Sequence, residues 1–292
     1  MTKPHKRKVD LVVISDVHLG TYGSRAKELL SYLKSISPKT IILNGDIVDI
    51  WQFKKSYFPK SHLKVVKYLM TLLTKGVKIY YVTGNHDEML RKFVGFGVGS
   101  FEIVNKVVLE LNGNKAWFFH GDVFDVSMKH SKWAAKLGGK GYDLLIRLNV
   151  ATNWILERLG RERISFSKKV KKAVKGAIKH INNFEQTAAE IAIMHGFKYV
   201  VCGHIHTPVI KTIKDKNGKK VKYLNSGDWI ENLTALEFHD DEWELFYFDN
   251  DQSEIANNDE IEDNTTDVIE YDSEKLLQEI LSEFRMAPEV IT

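Results

Sequence analysis

Residues 79–87 read Ile-Tyr-Tyr-Val-Thr-Gly-Asn-His-Asp, an apolar run of strand character that ends in metal-binding side chains. Four other segments follow the same plan, since each places such side chains directly after an apolar run. These segments are Asp16-Val17-His18, Gly45-Asp46, Phe119-His120-Gly121-Asp122 and Gly203-His204-Ile205-His206. Ligands of α/β sheets bind outside the carboxyl ends of the strands. We therefore expect the five segments to converge at one edge of such a sheet.

The side chains of these segments offer carboxylate, imidazole and amide donors, which suit Mn, Fe, Zn or Mg rather than a thiolate-bound metal. Any one histidine of this set could equally be a structural residue of the core, and any one aspartate could equally stabilise a turn. Five such segments in one chain are not explained by structural roles alone. Two ions that share a carboxylate and a water form a clamp for in-line attack at phosphorus. No motif of a side-chain nucleophile, such as Gly-x-Ser-x-Gly, is present, which favours attack by water.

The order of the five motifs resembles the signature of the calcineurin-like metallophosphoesterases, and the resemblance covers roughly residues 9–248. It implies an α/β fold in which two mixed β-sheets are flanked by helices, with two divalent ions bound. The implied ligands are Asp16, His18 and His206 for the first ion, Asn85, His120 and His204 for the second, and Asp46 as the bridge. The resemblance also implies that His86 faces the substrate as an acid, and that Asn85 contacts the substrate. The following Asp87, like Asp122, either orients a histidine or stabilises a turn.

The order of elements along the chain predicts a core and an insertion. Residues 9–122 alternate apolar strands with helical stretches, and strands return after residue 196. Residues 101–111 and 115–119 are expected to form one hairpin. Residues 123–195 lack proline and strand alternation and carry helix-like spacing. We therefore predict a core of residues 1–122 and 196–248, a helical cap of residues 123–195, and an acidic, partly disordered tail of residues 249–292.

Within the predicted cap, a helix is expected to begin at Ser167 as its N-cap. Ser167, Lys171 and Lys175 then fall on one helical face, where they are expected to bind phosphate groups of the substrate. Residues 126–180 contain 14 lysines and arginines against three acidic residues, although the net charge of the chain is only +4. Such a basic block predicts an anionic partner, and an anionic membrane surface is one candidate.

The cap and the later stretch Asn225-Ser226-Gly227-Asp228-Trp229-Ile230-Glu231 resemble the UDP-2,3-diacylglucosamine pyrophosphatase branch of the family. That resemblance implies hydrolysis of a UDP-linked acylated sugar to UMP and a lipid monophosphate in lipid A synthesis, with Mn²⁺ as the expected ion. His86 departs from the branch, whose best-characterised members carry arginine at that position. The departure leaves the metal chemistry intact and the exact lipid substrate open.

Composition and the search for targeting signals limit the class of protein and its cellular location. The chain has 292 residues, of which 43% are hydrophobic and 27% charged, as is ordinary for a globular enzyme. It shows no secretory signal and no apolar stretch of membrane-spanning length, and its only cysteine, Cys202, lies in an apolar strand. We therefore expect a cytoplasmic protein whose membrane contact is peripheral.

Two other functions remain open at this stage. Residues 93–101 form an apolar, glycine-rich stretch after Gly84-Asn85-His86-Asp87 that suggests a substrate with a large apolar part, although an ordinary packed loop would look the same. A phosphodiesterase or phosphatase of soluble nucleotides or phosphoproteins would use the same ions without needing this loop. A non-catalytic scaffold on the same fold is disfavoured, because all seven expected ligands are present. No nucleic-acid-reading motif occurs in the basic block, so no specific nucleic-acid partner is expected. The sequence makes no prediction of protein partners or oligomeric state.

Overall fold

The computed structural model describes residues 6–50, 58–124 and 169–249, with residues 169–180 and 182 as backbone only. The strands are β1 (Arg7–Ile14), β2 (Ile36–Asn44), β3 (Lys78–Val82), β4 (Gly97–Val98), β5 (Phe101–Val104), β6 (Lys106–Leu111), β7 (Asn114–Phe119), β8 (Tyr199–Cys202), β9 (Val209–Lys214), β10 (Lys220–Asn225), β11 (Thr234–His239) and β12 (Glu242–Tyr247). The helices are α1 (Ala26–Ser35), α2 (Lys60–Thr74) and α3 (Lys169–Met194), and Glu88–Phe93 forms a 3₁₀ helix.

The strands form two mixed sheets. The first sheet has the order β12-β11-β1-β2-β3-β5-β4, and the second has the order β6-β7-β8-β10-β9. Strands β1, β2, β3 and β5 run parallel to one another, as do β7, β8 and β10, while the remaining pairs are antiparallel. The parallel strands of each sheet thus end in loops at a common edge. The predicted two-sheet α/β architecture is confirmed.

Period-two alternation along the strands explains the layering of the core, because successive side chains point to opposite faces of a sheet. Leu11 and Val13 of β1 face the space between the sheets, where they join Phe118 of the second sheet. Val12 and Ile14 of the same strand face the other way and join the core beneath the helices. In α1, Leu29 and Leu33 are spaced i, i+4 and are buried in that layer.

Helix α3 covers the outer face of the second sheet. Phe184, Ala188 and Ala192 recur every four residues and are buried against Val200 and Cys202 of β8. The C-terminal part of α3 therefore belongs to the helical layer of the sandwich. Residues 125–168 lie outside the described residues, so the cap spanning 123–195 stays a prediction, and the tail lies outside them from residue 250 onward. No helix in the described parts of the chain has the length and apolar character needed to cross a bilayer.

The predicted hairpin is confirmed for β6 and β7, which form an antiparallel pair, but its first arm does not extend back to residue 101. Strand β5 pairs with β3 in the first sheet, whereas β6 pairs with β7 in the second sheet. The chain bends at Asn105, whose side-chain oxygen accepts a hydrogen bond from the Thr83 hydroxyl at 3.0 Å. The apolar pattern of the sequence continues through this point, because both halves have a buried face in their own sheet.

Candidate metal centre

The predicted ligands lie on five loops at the common edge of the two sheets. The loops after β1, β2 and β3 carry Asp16 and His18, Asp46, and Asn85 with His86. The loops after β7 and β8 carry His120, and His204 with His206. All five strands belong to the parallel parts of their sheets, which is why their carboxyl ends meet.

The side chains on these loops gather into three overlapping groups. In each group, one ligand atom from every residue lies within 4.8 Å of the others. The groups are Asp16, His18 and His206; Asp46, His120 and His204; and His18, Asp46 and His86. Asn85 joins the second group, since its side-chain oxygen is 3.3 Å from Nε2 of His120. Asp46 shares groups with residues of both expected sites, which is the arrangement that a bridging carboxylate requires.

The backbone at this edge is held in an unfavourable conformation. Asp16, His18, Asp46, His204 and His206 have φ angles between 51° and 65°, in the left-handed region that non-glycine residues seldom occupy. Such residues persist only where the surrounding structure determines them, and they cluster at functional sites. The five residues are therefore fixed in place by the fold before any ligand binds.

Two glycines in the motifs permit close approach between loops. A Cβ atom at Gly84 would lie 2.2 Å from Oδ1 of Asp46, and one at Gly203 would lie 2.7 Å from Oδ2 of Asp16. The same approach creates hydrogen bonds, because the His86 amide donates to Asp46 at 2.8 Å. The amide of His204 likewise donates to Asp16 at 3.0 Å. Because these two positions lack a Cβ atom, the neighbouring loops approach closely enough to hydrogen-bond to the carboxylates of Asp46 and Asp16.

Two buried polar atoms in this cluster lack a hydrogen-bond partner, which allows a test of whether a metal fits. They are Oδ1 of Asp16 and Nε2 of His18. Buried polar atoms nearly always have a hydrogen-bond partner, so these two atoms indicate a site for an ion or water. Nε2 of His206 lies 3.0 Å from Oδ1 of Asp16 without forming an aligned hydrogen bond. Carboxylate and imidazole donors turned toward one another in this way fit a divalent cation.

The pKa values of the cluster also indicate a site for a divalent cation. Burial alone would raise the pKa of Asp46, but the neighbouring His120 lowers it to about 2. Burial alone would lower the pKa of His206, but the carboxylate of Asp16 raises it to about 9. Without metal, protonated histidines therefore balance the buried carboxylates. A divalent cation bound here would replace those protons.

Asp49 is a residue of this cluster that the sequence analysis missed. Its carboxylate is buried, and Oδ2 lies 2.9 Å from Nδ1 of His86 and 3.5 Å from Nδ1 of His18. Burial lowers the pKa of His86, but the hydrogen bond and charge of Asp49, together with Asp46, raise it above the ordinary value. The only sequence signal was its place three residues after Asp46 on the same loop.

The carboxylates of Asp87 and Asp122 stabilise loops. Asp87 accepts hydrogen bonds from the amide of Gly84 at 2.5 Å, the amide of Ile47 at 3.0 Å and the hydroxyl of Tyr81 at 2.7 Å. It therefore ties the loops after β2 and β3 together. Asp122 accepts a hydrogen bond from Arg91 at 2.6 Å.

The three residues expected to bind substrate in the predicted cap cannot be placed as side chains. Ser167 lies outside the described residues, and Lys171 and Lys175 belong to the backbone-only part of α3. Their contact with a substrate therefore stays a prediction, as do the individual ligand roles at the metal centre.

A two-sheet α/β sandwich with carboxylates and histidines gathered at the strand ends defines a metal-dependent hydrolase. Residues 9–208 match the family model described as calcineurin-like phosphoesterase, and the chain belongs to that family. The predictions of this family and of phosphoester or pyrophosphate hydrolysis are confirmed.

Curated relatives align with most of the chain. A UDP-2,3-diacylglucosamine hydrolase of Aliivibrio fischeri is 24% identical over 240 residues, covering 79% of this chain and 95% of its own length. A protein of the same name from Nitrosococcus oceani is 26% identical over 235 residues, covering 76% and 88%. A solved archaeal phosphodiesterase aligns with 81% of this chain and 98% of its own, at 15% identity and a TM-score of 0.39, a likeness too weak to bear on function.

Proposed function

We propose that this chain hydrolyses the pyrophosphate bond of a UDP-linked diacylated sugar, with UMP and a lipid monophosphate as products and Mn²⁺ as the ion. The observation that carries the hydrolytic part is the gathering of seven candidate ligands beside the Asp49–His86 pair. Support for the substrate class comes from relatives named UDP-2,3-diacylglucosamine hydrolase, which align over 88–95% of their own length.

The proposed roles follow the geometry of the cluster. Asp16, His18 and His206 would hold one ion, Asn85, His120 and His204 the other, and Asp46 both. When bound, two divalent ions neutralise phosphate oxygens and activate a water for in-line attack.

His86 supplies the proton in this scheme. The carboxylate of Asp49 fixes Nδ1, which leaves Nε2 as the ring nitrogen available to a substrate. As the oxygen of water bonds to phosphorus and the bond from phosphorus to the bridging oxygen breaks, the protonated ring gives its proton to that departing oxygen. The attacking water releases its proton to solvent, from which the ring is protonated again. The raised pKa of His86 keeps the ring protonated over more of the neutral range.

The proposal extends to the place where the enzyme works. A cap containing Ser167, Lys171 and Lys175, together with the basic block of residues 126–180, would hold the phosphorylated glycolipid at an anionic membrane surface. Basic side chains near such a surface contribute about 1 kcal/mol each, so several together give reversible attachment. The protein would then be cytoplasmic and peripheral on the inner face of the membrane.

Product analysis tests the substrate. The wild-type protein, loaded with Mn²⁺, is given detergent-solubilised UDP-2,3-diacylglucosamine beside bis-p-nitrophenyl phosphate, and mass spectrometry identifies the products. We expect UMP and the diacylglucosamine monophosphate, with a much higher kcat/KM for the lipid. A kcat/KM that favours the soluble diester, with no UMP formed, would contradict the proposal and leave a soluble phosphodiesterase.

A charge-reversal pair tests the role of the cap. Lys171→Glu with Lys175→Glu should raise KM for the lipid substrate and weaken binding to anionic vesicles, while cleavage of the soluble diester survives. Lys216→Glu with Lys219→Glu is the matched control, because these exposed residues lie in the β9–β10 hairpin at the opposite edge of the second sheet. Equal loss of both substrates would make the cap lysines structural, and no change in either would refute recognition by the cap.

A further inference from the structure

The segment after β10 carries no candidate ligand, yet it touches the loops that do. We name residues 225–232 the brace. It begins at the carboxyl end of β10, which pairs in parallel with β8, so it lies at the same edge as the loop of His204 and His206. The side chains of Asn225, Ser226 and Asp228 are completely buried. Three fully buried polar side chains in one short segment require an explanation in terms of their partners.

The brace fixes the loop of Asp16. The amide of Trp229 donates to the carbonyl oxygen of Asp16 at 3.1 Å. The Ser15 hydroxyl lies 2.6 Å from the Ser226 hydroxyl and donates to the carbonyl oxygen of Gly227 at 3.0 Å. These bonds restrain the backbone on both sides of the strained φ angle of Asp16.

The brace also fixes both ends of the loop that carries His204 and His206. The Asn225 side-chain amide donates to the carbonyl oxygen of Gly203 at 2.8 Å. The Asn232 side-chain amide donates to the carbonyl oxygen of His206 at 2.9 Å. One segment thus sets the distance between Asp16 and His206, which belong to the same candidate ligand group.

Asp228 lies at the centre of these contacts. Its Oδ1 accepts hydrogen bonds from the amides of Ile230 at 2.8 Å and Glu231 at 2.6 Å, and its Oδ2 accepts one from the Asn232 side chain. Oδ2 also faces Nδ1 of His206 at 3.9 Å. The other ring nitrogen of His206 is the one that lies 3.0 Å from Asp16, so the ring stands between two buried carboxylates.

We propose that Asp228 is a positioning residue of the metal centre, which with Asn232 holds His206 so that Nε2 faces the ion shared with Asp16 and Nδ1–H faces the Asp228 carboxylate. The inference rests on the proposed metal centre and not on the proposed substrate. A carboxylate behind a ligating histidine fixes its tautomer and ring orientation and raises its basicity as a ligand. Because the backbone amides already hold Asp228, the carboxylate does not have to be ordered when the ion binds.

Stepwise Mn²⁺ titration of Asp228→Asn tests the inference. The asparagine keeps a side-chain oxygen for the amides of Ile230 and Glu231 but removes the charge that faces His206. We expect one of the two sites to bind Mn²⁺ about 10- to 100-fold more weakly, the usual effect of removing such a partner, and the other site to be unchanged. The metal-free variant should melt as a folded protein, and its histidine ring NMR should show a changed Nδ1 signal for His206.

Asp215→Asn is the matched control. Its carboxylate also accepts two backbone amides, from Asn217 at 2.9 Å and Lys219 at 2.8 Å, but it lies in the β9–β10 turn away from the metal centre. This control should leave both affinities unchanged. If Asp228→Asn does not fold, Asn232→Ala, which removes the donor to His206, should weaken the same single site.

The outcomes separate the alternatives. Equal weakening of both sites, or unchanged binding at both, would overturn the positioning role. Weakening of a single site supports it even if the wild-type enzyme fails to cleave a UDP-linked lipid, since that failure would contradict the proposed substrate alone.

Discussion

Replacement of Asp49 by asparagine should shift the pH dependence of catalysis while leaving the metals bound. The buried carboxylate makes a 2.9 Å contact with Nδ1 of His86. A hydrogen bond to a charged group contributes about 1.5–3 kcal/mol. Its loss should therefore lower the pKa of His86, because the hydrogen bond and charge of Asp49 contribute to raising that pKa above its ordinary value.

The sign of the effect follows from the role of His86 as an acid. The ring is active when protonated, so kcat falls on the alkaline side as the pH rises through its pKa. In Asp49→Asn that alkaline limb should move to lower pH, because the pKa of His86 falls. The loss of kcat at neutral pH should be larger for diesters with poor leaving groups than for p-nitrophenyl esters, which need less protonation.

The assay is a kcat profile over pH for two diesters of different leaving group, with metal content measured on the same samples. His86→Ala sets the largest effect, about 100-fold or more for loss of a general acid, with both ions retained. Asp122→Asn is the control, because it removes a carboxylate near the site that pairs with Arg91 instead of a histidine. An unmoved alkaline limb, or equal losses for both diesters, would refute the acid role, and loss of metal from His86→Ala would make His86 a ligand.

Three further predictions concern the architecture of the site and its support. Gly84→Ala should abolish binding of both ions, because its Cβ would lie 2.2 Å from Oδ1 of Asp46; normal stoichiometry by elemental analysis would contradict this. Arg7→Met should lower the free energy of unfolding by about 1–3 kcal/mol in urea titration. The substitution removes the two hydrogen bonds, of 2.7 and 2.9 Å, that Arg7 donates to the buried carboxylate of Glu237. Because the arginine is half-exposed, solvent screening limits the effect. Mn²⁺ affinity should rise with pH towards about 9, because His206 must lose its proton to bind metal; calorimetry in buffers of different ionisation enthalpy should detect the released proton below that pH.

The positions of the candidate ligands were predictable because the apolar pattern of the sequence correctly located the strands that precede them. Each ligand follows an apolar run, and parallel strands place whatever follows them at one edge of the sheet. Burial of Cys202 was predictable for the same reason, since it continues the apolar run of β8.

Other features depend on contacts between distant segments. The bend at Asn105 transfers the chain from one sheet to the other. A single continuous strand would show the same alternation of apolar residues, so the sequence pattern does not reveal the bend. Asp49 contacts His86 across 37 positions, and Asp228 faces His206 across the whole β9–β10 hairpin. Residue type alone marks these aspartates as turn formers, because the pattern of a sequence does not show which histidine a carboxylate will face.

Metal content and hydrolysis of Asp46→Ala test the central claim most directly. Asp46 is the carboxylate that shares candidate groups with both His18 and His120. The variant should lose bound Mn²⁺ relative to the two ions expected in the wild type, and it should lose hydrolysis of every phosphoester substrate. Retention of two ions together with full activity would contradict a dinuclear centre built around this residue.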